Sequence, residues 1–263
     1  MYLLIDWGNT QLKYLLVKEL SDLRDGVEVQ VTDSIAQCLD GCEKVLAGQD
    51  IENVLIASVK SDQDNQHLEG ELTIRGWCYS FANTSAKACG VQCGYQDPSR
   101  LGVDRWLTII AAHENDKNIG VIDIGTAIKL DIVNGHGKHL GGHILPGRKL
   151  MRNSLLKTAR VRAEQEVAAR EKFTLGSSTE ECVEFGIEQL INAYLIRSVN
   201  QASKEYQVKT WLLTGGGGGY WCELLTRQID NNKSIFISKP LLVFDGLVEL
   251  YSKKGHYSKN EHL

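Results

Sequence analysis

Asp6 and Asp123 give the first chemical hint in this sequence. LLIDWGNTQLKYLLV runs from Leu3 to Val17, and GVIDIGTAIKLDIV runs from Gly120 to Val133. In each, an apolar run reaches Asp, glycine follows two residues later, Asn or Thr comes next, and a second apolar run carries a lysine. Asp6 matches Asp123, Gly8 matches Gly125, and Lys13 matches Lys129 after a one-residue gap. A carboxylate at the end of a buried strand is costly where Val or Ile would serve. A glycine turn lets main chain approach a phosphate closely, and Asn or Thr adds a side-chain donor. Phosphate would repel the aspartate itself, so its use is to hold a cation, usually through water, that neutralises the phosphate oxygens. Two such turns facing each other would grip a polyphosphate from both sides. A plain hairpin, with Asp accepting backbone N–H bonds, accounts for one copy; a second copy in register favours phosphate.

These turns need strands to hold them. Residues 2–6 and Gln11–Val17 read as a strand pair around Gly8-Asn9, with further strands at Asn53–Val59 and Trp77–Phe81. RWLTIIAAHEN has helical spacing, with Trp106, Ile109 and Ile110 on one side and Asp104 where an N-cap would stand. The pattern then restarts. Gly120–Ile124, Ile128–Val133 and HLGGHIL read as strands, and the last ends at the Pro146-Gly147 turn before a helix striped by Leu150, Met151, Ser154 and Leu155. A capping box from Ser177 to Glu180 opens a helix whose apolar face is Val183, Ile187, Leu190 and Tyr194. TWLLTGGGGGYW is a strand entering a glycine loop, Thr214–Gly219, and a last helix follows Pro240. The expected fold is α/β, two tandem halves around a central cleft. With only 3 prolines and no linker composition, the boundary falls near residues 114–119, giving 1–115 and 116–263.

At 263 residues, with net charge −4 and interspersed charges, the chain has no electrostatic footprint for nucleic acid or an acidic membrane surface. No apolar run is long enough to span a bilayer, and a strand with Asp6 in it at the N-terminus is not a cleavable signal. The 7 cysteines, an odd number, read as reduced thiols in a cytoplasmic protein. Cys38/Cys42 and Cys89/Cys93 lack the spacing of a zinc ribbon. His136, His139 and His143 straddle a hairpin and a strand, so their rings diverge, and they read as surface or turn histidines rather than metal ligands.

DWGNT from Asp6, YQDPSRLGVDRW from Tyr95 to Trp106, DIGTA from Asp123, GGHILPG from Gly141 and SST from Ser177 occur in that order along nearly the whole chain. Together they resemble the type III pantothenate kinase family. Its superfamily includes acetate and sugar kinases, heat-shock chaperones and actin, built from two ribonuclease H-like halves around ATP. The resemblance implies that Asp6, Trp7, Gly8, Asn9, Thr10, Gln11, Leu12 and Lys13, with Thr126, bind ATP phosphates. Asp6 would carry magnesium through water, and Asp123 would hold a monovalent cation, potassium or ammonium. Tyr95, Gly102, Val103, Asp104, Arg105 and Thr179 would contact pantothenate, and the chain would form a homodimer with that pocket near the subunit interface. The glycine loop fits the superfamily's adenosine side, and a strand-to-helix turn explains it equally. Lys129 departs from the family, where a smaller hydroxyl residue is more usual; it could reach the phosphates or point to solvent.

Pantothenate carries a carboxylate at one end and a primary hydroxyl at the other. Arg105 suits the carboxylate through a paired, charge-assisted contact. Asp104 suits the hydroxyl, accepting its proton and aiming the oxygen at the γ-phosphorus. Each has a bland alternative: helix capping for Asp104, a surface ion pair for Arg105, a core aromatic role for Tyr95 and a first-turn helix position for Thr179. Two rival functions keep the fold, a kinase acting on another small carboxylate and a non-catalytic ATP-binding regulatory relative.

Overall fold

A computed structural model of the protein describes residues 1–23, 27–158, 167–168, 172–229, 234–254 and 261–262. The first part of the chain forms β1 (Tyr2–Trp7), β2 (Leu12–Val17), β3 (Gln30–Thr32), α1 (Ile35–Leu46), β4 (Asn53–Ser58), α2 (Asp62–Ile74), β5 (Tyr79–Phe81), β6 (Lys87–Ala88), β7 (Val91–Gln92) and α3 (Val103–Ala112). The second part repeats the plan with β8 (Ile119–Ile124), β9 (Ala127–Val133), β10 (His139–Pro146), α4 (Arg148–Thr158), α5 (Thr179–Glu205), β11 (Thr210–Thr214), α6 (Gly218–Gln228) and β12 (Ile235–Ser238). The chain closes with α7 (Leu242–Lys254) and β13 (Glu261–His262).

The duplication seen in sequence is a duplication of topology. One sheet runs β3-β2-β1-β4-β5 with β13 on its edge, and the other runs β10-β9-β8-β11-β12. In the first, β1 pairs antiparallel with β2 and parallel with β4. In the second, β8 pairs parallel with β11. Each aspartate hairpin therefore begins on the central strand of its sheet. Leu3, Leu4 and Ile5 are wholly buried, as expected of a strand covered on both faces. This is the ribonuclease H-like plan, present twice.

Packing separates the chain into two compact units. One comprises Met1–Asn115, Val133–Gly141 and Leu241–Leu263; the other comprises Asp116–Ile132 and Gly142–Pro240. The units follow the expected halves except that 133–141 and 241–263 group with the first. Helix α7 does so at Gly246, where an added Cβ would lie 2.0 Å from the Leu107 carbonyl oxygen of α3, so only glycine permits that approach. Within the first unit, Ser34 caps α1 by accepting from the Gln37 N–H, and the helix ends at Ala47 in the left-handed region. Cys38, Leu39, Cys42 and Leu46 form its buried face. The hydrogen bond with Cys42 and burial push the Cys38 thiol pKa up, so Cys38 packs as a neutral small side chain.

Two expectations about helices shift. Ser178, not Ser177, is the N-cap of α5, accepting from Glu181 N, while Ser177 donates through N and Oγ to the Glu181 carboxylate. Leu190, expected inside, is 58% exposed, whereas Glu184 and Glu188 are buried. The cause lies on α4. Arg148 pairs with Glu184 at 2.8 Å and Glu188 at 3.0 Å, Arg152 approaches Glu184 at 2.9 Å, and Tyr220 donates to Glu188. Buried carboxylates so surrounded are compensated, and periodicity that treats Glu as outward misreads the face.

Candidate active site

The first hairpin closes with Gly8 N donating to Gln11 O at 3.0 Å, which leaves Asn9, Thr10 and Gln11 exposed at its tip. Asp6 is half-buried at its base, in register opposite Lys13, so both side chains leave the same sheet face. Trp7 and Leu12 pack into the core with Leu3 and Ile5. Of the nine residues expected at the phosphates, Trp7 and Leu12 can therefore offer only main chain. Lys60, after β4, lies 5.7 Å above the Trp7 ring and donates to the Asn9 carbonyl at 2.9 Å. It braces the tip and adds a positive charge there.

The second hairpin closes with Gly125 N donating to Ala127 O at 3.1 Å, leaving Gly125 and Thr126 exposed. At its base Lys129 Nζ lies 2.7 Å from Asp123 Oδ2, with the two side chains 20% and 18% exposed. The other carboxylate oxygen faces Gly215, where a Cβ would stand 2.4 Å from Oδ1. A potassium or ammonium ion, expected on Asp123, does not fit this donor set. An ammonium group already holds Oδ2, and the Gly215 backbone passes close to Oδ1.

Gly215 has φ +81, and Gly217 N donates to Ile124 O at 2.9 Å before α6 begins at Gly218. The glycine loop is thus a strand-to-helix turn folded against the second hairpin. Only part of the run needs to be glycine. Gly215→Ala is expected to destabilise the protein by about 1–3 kcal/mol, from the strained backbone and the clash with Asp123. Gly216→Ala, where an added Cβ meets nothing within 4 Å, is expected to stay within about 0.5 kcal/mol of wild type. Thermal melts of the two variants check this, and equal shifts would contradict it.

The residues expected at the acceptor lie in the first unit, with the exception of Thr179. Gly102 is the N-cap of α3 and the helix begins at Val103, so Asp104 is a first-turn residue and not the cap. Its Oδ1 accepts from Arg105 N at 2.8 Å. Arg105 is only 4% exposed; its guanidinium donates to Tyr95 Oη at 2.7 Å and lies 5.5 Å from that ring's centroid. His139 stacks on Tyr95 with centroids 6.1 Å apart and planes 16° from parallel. Contrary to its reading as a surface or turn residue, His139 is wholly buried, and its Nδ1 accepts from Gly94 N at 3.4 Å. A hollow of about 620 Å³ lies along Tyr95, Gln96, Asp97 and Arg100. Val103 is buried, leaving its main chain for any ligand contact. Thr179 belongs to the other unit, at the start of α5, in a groove lined by Leu155, Val183 and Leu190. Among the described residues, no group of three or more His, Cys, Asp or Glu is placed to hold a metal ion.

The sequence profile described as type III pantothenate kinase matches residues 2–201. The chain belongs to the type III pantothenate kinase family. A type III pantothenate kinase of Acinetobacter baumannii is 33% identical over 224 residues, covering 85% of this chain and 88% of that protein. One of Ectopseudomonas mendocina is 31% identical over 257 residues, covering 94% and 97%. Among solved structures, a Campylobacter jejuni protein described as a Baf family transcriptional activator superposes with TM-score 0.56 at 19% identity, covering 96% of this chain and 98% of that one. A Sinorhizobium meliloti protein described as a 2-dehydro-3-deoxygalactonokinase gives TM-score 0.54 at 10% identity, covering 98% and 100%. These two likenesses concern the fold.

As a type III pantothenate kinase, the chain carries two side chains that its motifs do not assign to the site, Lys60 on the first hairpin and His139 behind Tyr95, and it pairs Lys129 of the repeated pattern with Asp123. Lys60 follows a strand without a motif of its own. His139 sits more than forty residues from Gly94 and Tyr95, so no local pattern links them. Lys129 had a signal in its place in the repeated pattern and its unusual type there.

Proposed function

We propose that this protein transfers the γ-phosphoryl group of ATP to the primary hydroxyl of pantothenate, giving 4′-phosphopantothenate and ADP at the entry to coenzyme A biosynthesis. The observation that carries the reading is the Tyr95–Arg105–Asp104 group, with a buried guanidinium held by a tyrosine hydroxyl beside a helix-start carboxylate. Arg105 binds the acceptor's carboxylate, and Tyr95 keeps the guanidinium in place. Asp104 accepts the hydroxyl proton as that oxygen bonds to the γ-phosphorus and the bond to the β–γ bridging oxygen breaks. Because phosphoryl transfer is loose, most of the gain comes from aiming the oxygen rather than from deep deprotonation. Gly102 and Val103 main chain and Thr179 complete the acceptor contacts.

Asp6 through Lys13, with Thr126, bind the triphosphate. Exposed Asn9, Thr10 and Gln11 and the glycine at each hairpin supply donors. Asp6 suits magnesium, an oxygen-seeking ion that keeps most of its waters and needs only one or two protein carboxylates. When bound, magnesium supplies neutralisation of the phosphate charge. Exposed Ile144, Leu150, Leu155 and Leu190 in the second unit support a homodimer. All 7 cysteines are free thiols, and no helix among the described residues is long and apolar enough to cross a membrane. Both features support a cytoplasmic location.

A coupled ADP assay with magnesium, run against pantothenate, a hydroxyl-free short-chain carboxylate and a hexose, tests the proposal. Turnover is expected with pantothenate and not with the other two. Faster turnover of another acceptor would replace pantothenate, and nucleotide binding without any acceptor turnover would point to a regulatory ATP-binding protein.

A further inference from the structure

We infer that Lys129 is the built-in monovalent cation of this enzyme: its ammonium, fixed on Asp123, takes the place that a free potassium or ammonium ion would fill beside the ATP phosphates. The inference rests on the reading of the second hairpin as a phosphate loop. Lys129 Nζ sits 2.7 Å from Asp123 Oδ2, and the Gly215 backbone passes close enough to Oδ1 that an added Cβ would stand 2.4 Å from it. The pair stands at the base of the hairpin whose exposed Gly125 and Thr126 face outward.

Charge accounting makes the substitution workable. A carboxylate with a bound potassium ion sums to zero, and so does Asp123 with Lys129. At a given distance the field of one positive charge on a phosphate is the same whichever cation carries it. A tethered cation needs no capture from solution, so the site is filled at every salt concentration. An alternative is a pair that merely holds the hairpin together. Yet a largely buried ion pair is weak evidence for stability, because desolvation offsets much of the attraction. The first hairpin also sets Lys13 opposite Asp6, so both copies place an ammonium-bearing residue by the aspartate.

The test compares potassium, ammonium, sodium and tetramethylammonium chlorides at fixed ionic strength. Two readouts are taken: pantothenate turnover, and the melting-temperature rise caused by ATP with magnesium. Wild type is expected to vary by no more than about twofold among the salts, the signature of absent coupling. Lys129→Thr should lose activity in tetramethylammonium and regain roughly five- to 150-fold with potassium, the usual range of a coupling between sites. Potassium should likewise raise the melting temperature of that variant and leave the wild type unchanged.

Activation of the wild type by potassium, in either readout, overturns the inference. So does a Lys129→Thr enzyme that keeps full rate without potassium, or one that is folded and inert at every potassium concentration. If Lys129→Thr does not fold, Lys129→Gln replaces it, and the wild-type comparison decides alone if neither folds. Absence of pantothenate turnover in all four salts would instead count against the proposed acceptor. The ATP-induced melting shift would still read the cation in that case.

Discussion

Asp104→Asn is expected to lower kcat roughly one-hundred- to ten-thousand-fold, the usual contribution of a positioned proton acceptor. The amide keeps the shape of the side chain and can still accept from Arg105 N, the 2.8 Å bond that Oδ1 makes. What it loses is the capacity to take the hydroxyl proton. Nucleotide binding, assigned to Asp6–Lys13 and Thr126, should change little, so calorimetry with ATP and magnesium is expected to give a dissociation constant within about threefold of wild type, well under one decade of affinity. The bland alternative is a helix-dipole role, since Asp104 stands in the first turn of α3. That role is worth about 0.3–1 kcal/mol, and removing it would lower the melting temperature by no more than a few degrees. A variant with intact kcat and a small melting shift would convict Asp104 of being a helix-start residue and nothing more.

The sequence makes the frame of this site plain and hides its second layer. Short apolar runs ending at Gly8 and Gly125 predict the hairpins, because strand period and glycine turns are local properties. The hairpins observed, β1–β2 and β8–β9, begin within a residue or two of where those patterns place them. Leu190 and Glu184 show where local reading ends. Their burial is decided by Arg148 and Arg152, which reach α5 from another helix. Helix α7 fails in the same way: its apolar pattern fixes a helix but not the unit it packs on, which Gly246 and Leu107 determine. His139 is a third case, a polar residue on an alternating strand whose burial depends on Gly94 and Tyr95 far away in sequence. At the candidate site, the family resemblance pointed to Asp104, Arg105 and Tyr95, and residue chemistry suited the first two to a hydroxyl and a carboxylate. The bond from Arg105 to Tyr95, which makes the three a unit, required the fold.

That bond leads to the second large effect. Arg105→Lys is expected to raise KM for pantothenate roughly ten- to one-hundred-fold, as loss of a charge-assisted bond worth about 1.5–3 kcal/mol would do. Lysine keeps the charge and loses the planar fork, so it cannot hold Tyr95 Oη and a carboxylate together as the guanidinium does. Arg105 is 4% exposed, and a shorter reach there also leaves packing unfilled, so a raised KM alone would not separate recognition from distortion. An acceptor analogue whose carboxylate is replaced by a neutral amide separates them. Wild type should prefer the carboxylate strongly, and Arg105→Lys should lose most of that preference while its rate on the amide changes little. Tyr95→Phe removes the partner at 2.7 Å and should produce part of the same loss. Combined with Arg105→Lys, it should add less than its single effect, because the two side chains act through one contact. Unchanged discrimination between carboxylate and amide in Arg105→Lys would mean that another group reads the acid end of the acceptor. The Arg105–Tyr95 pair would then be a packing feature of α3.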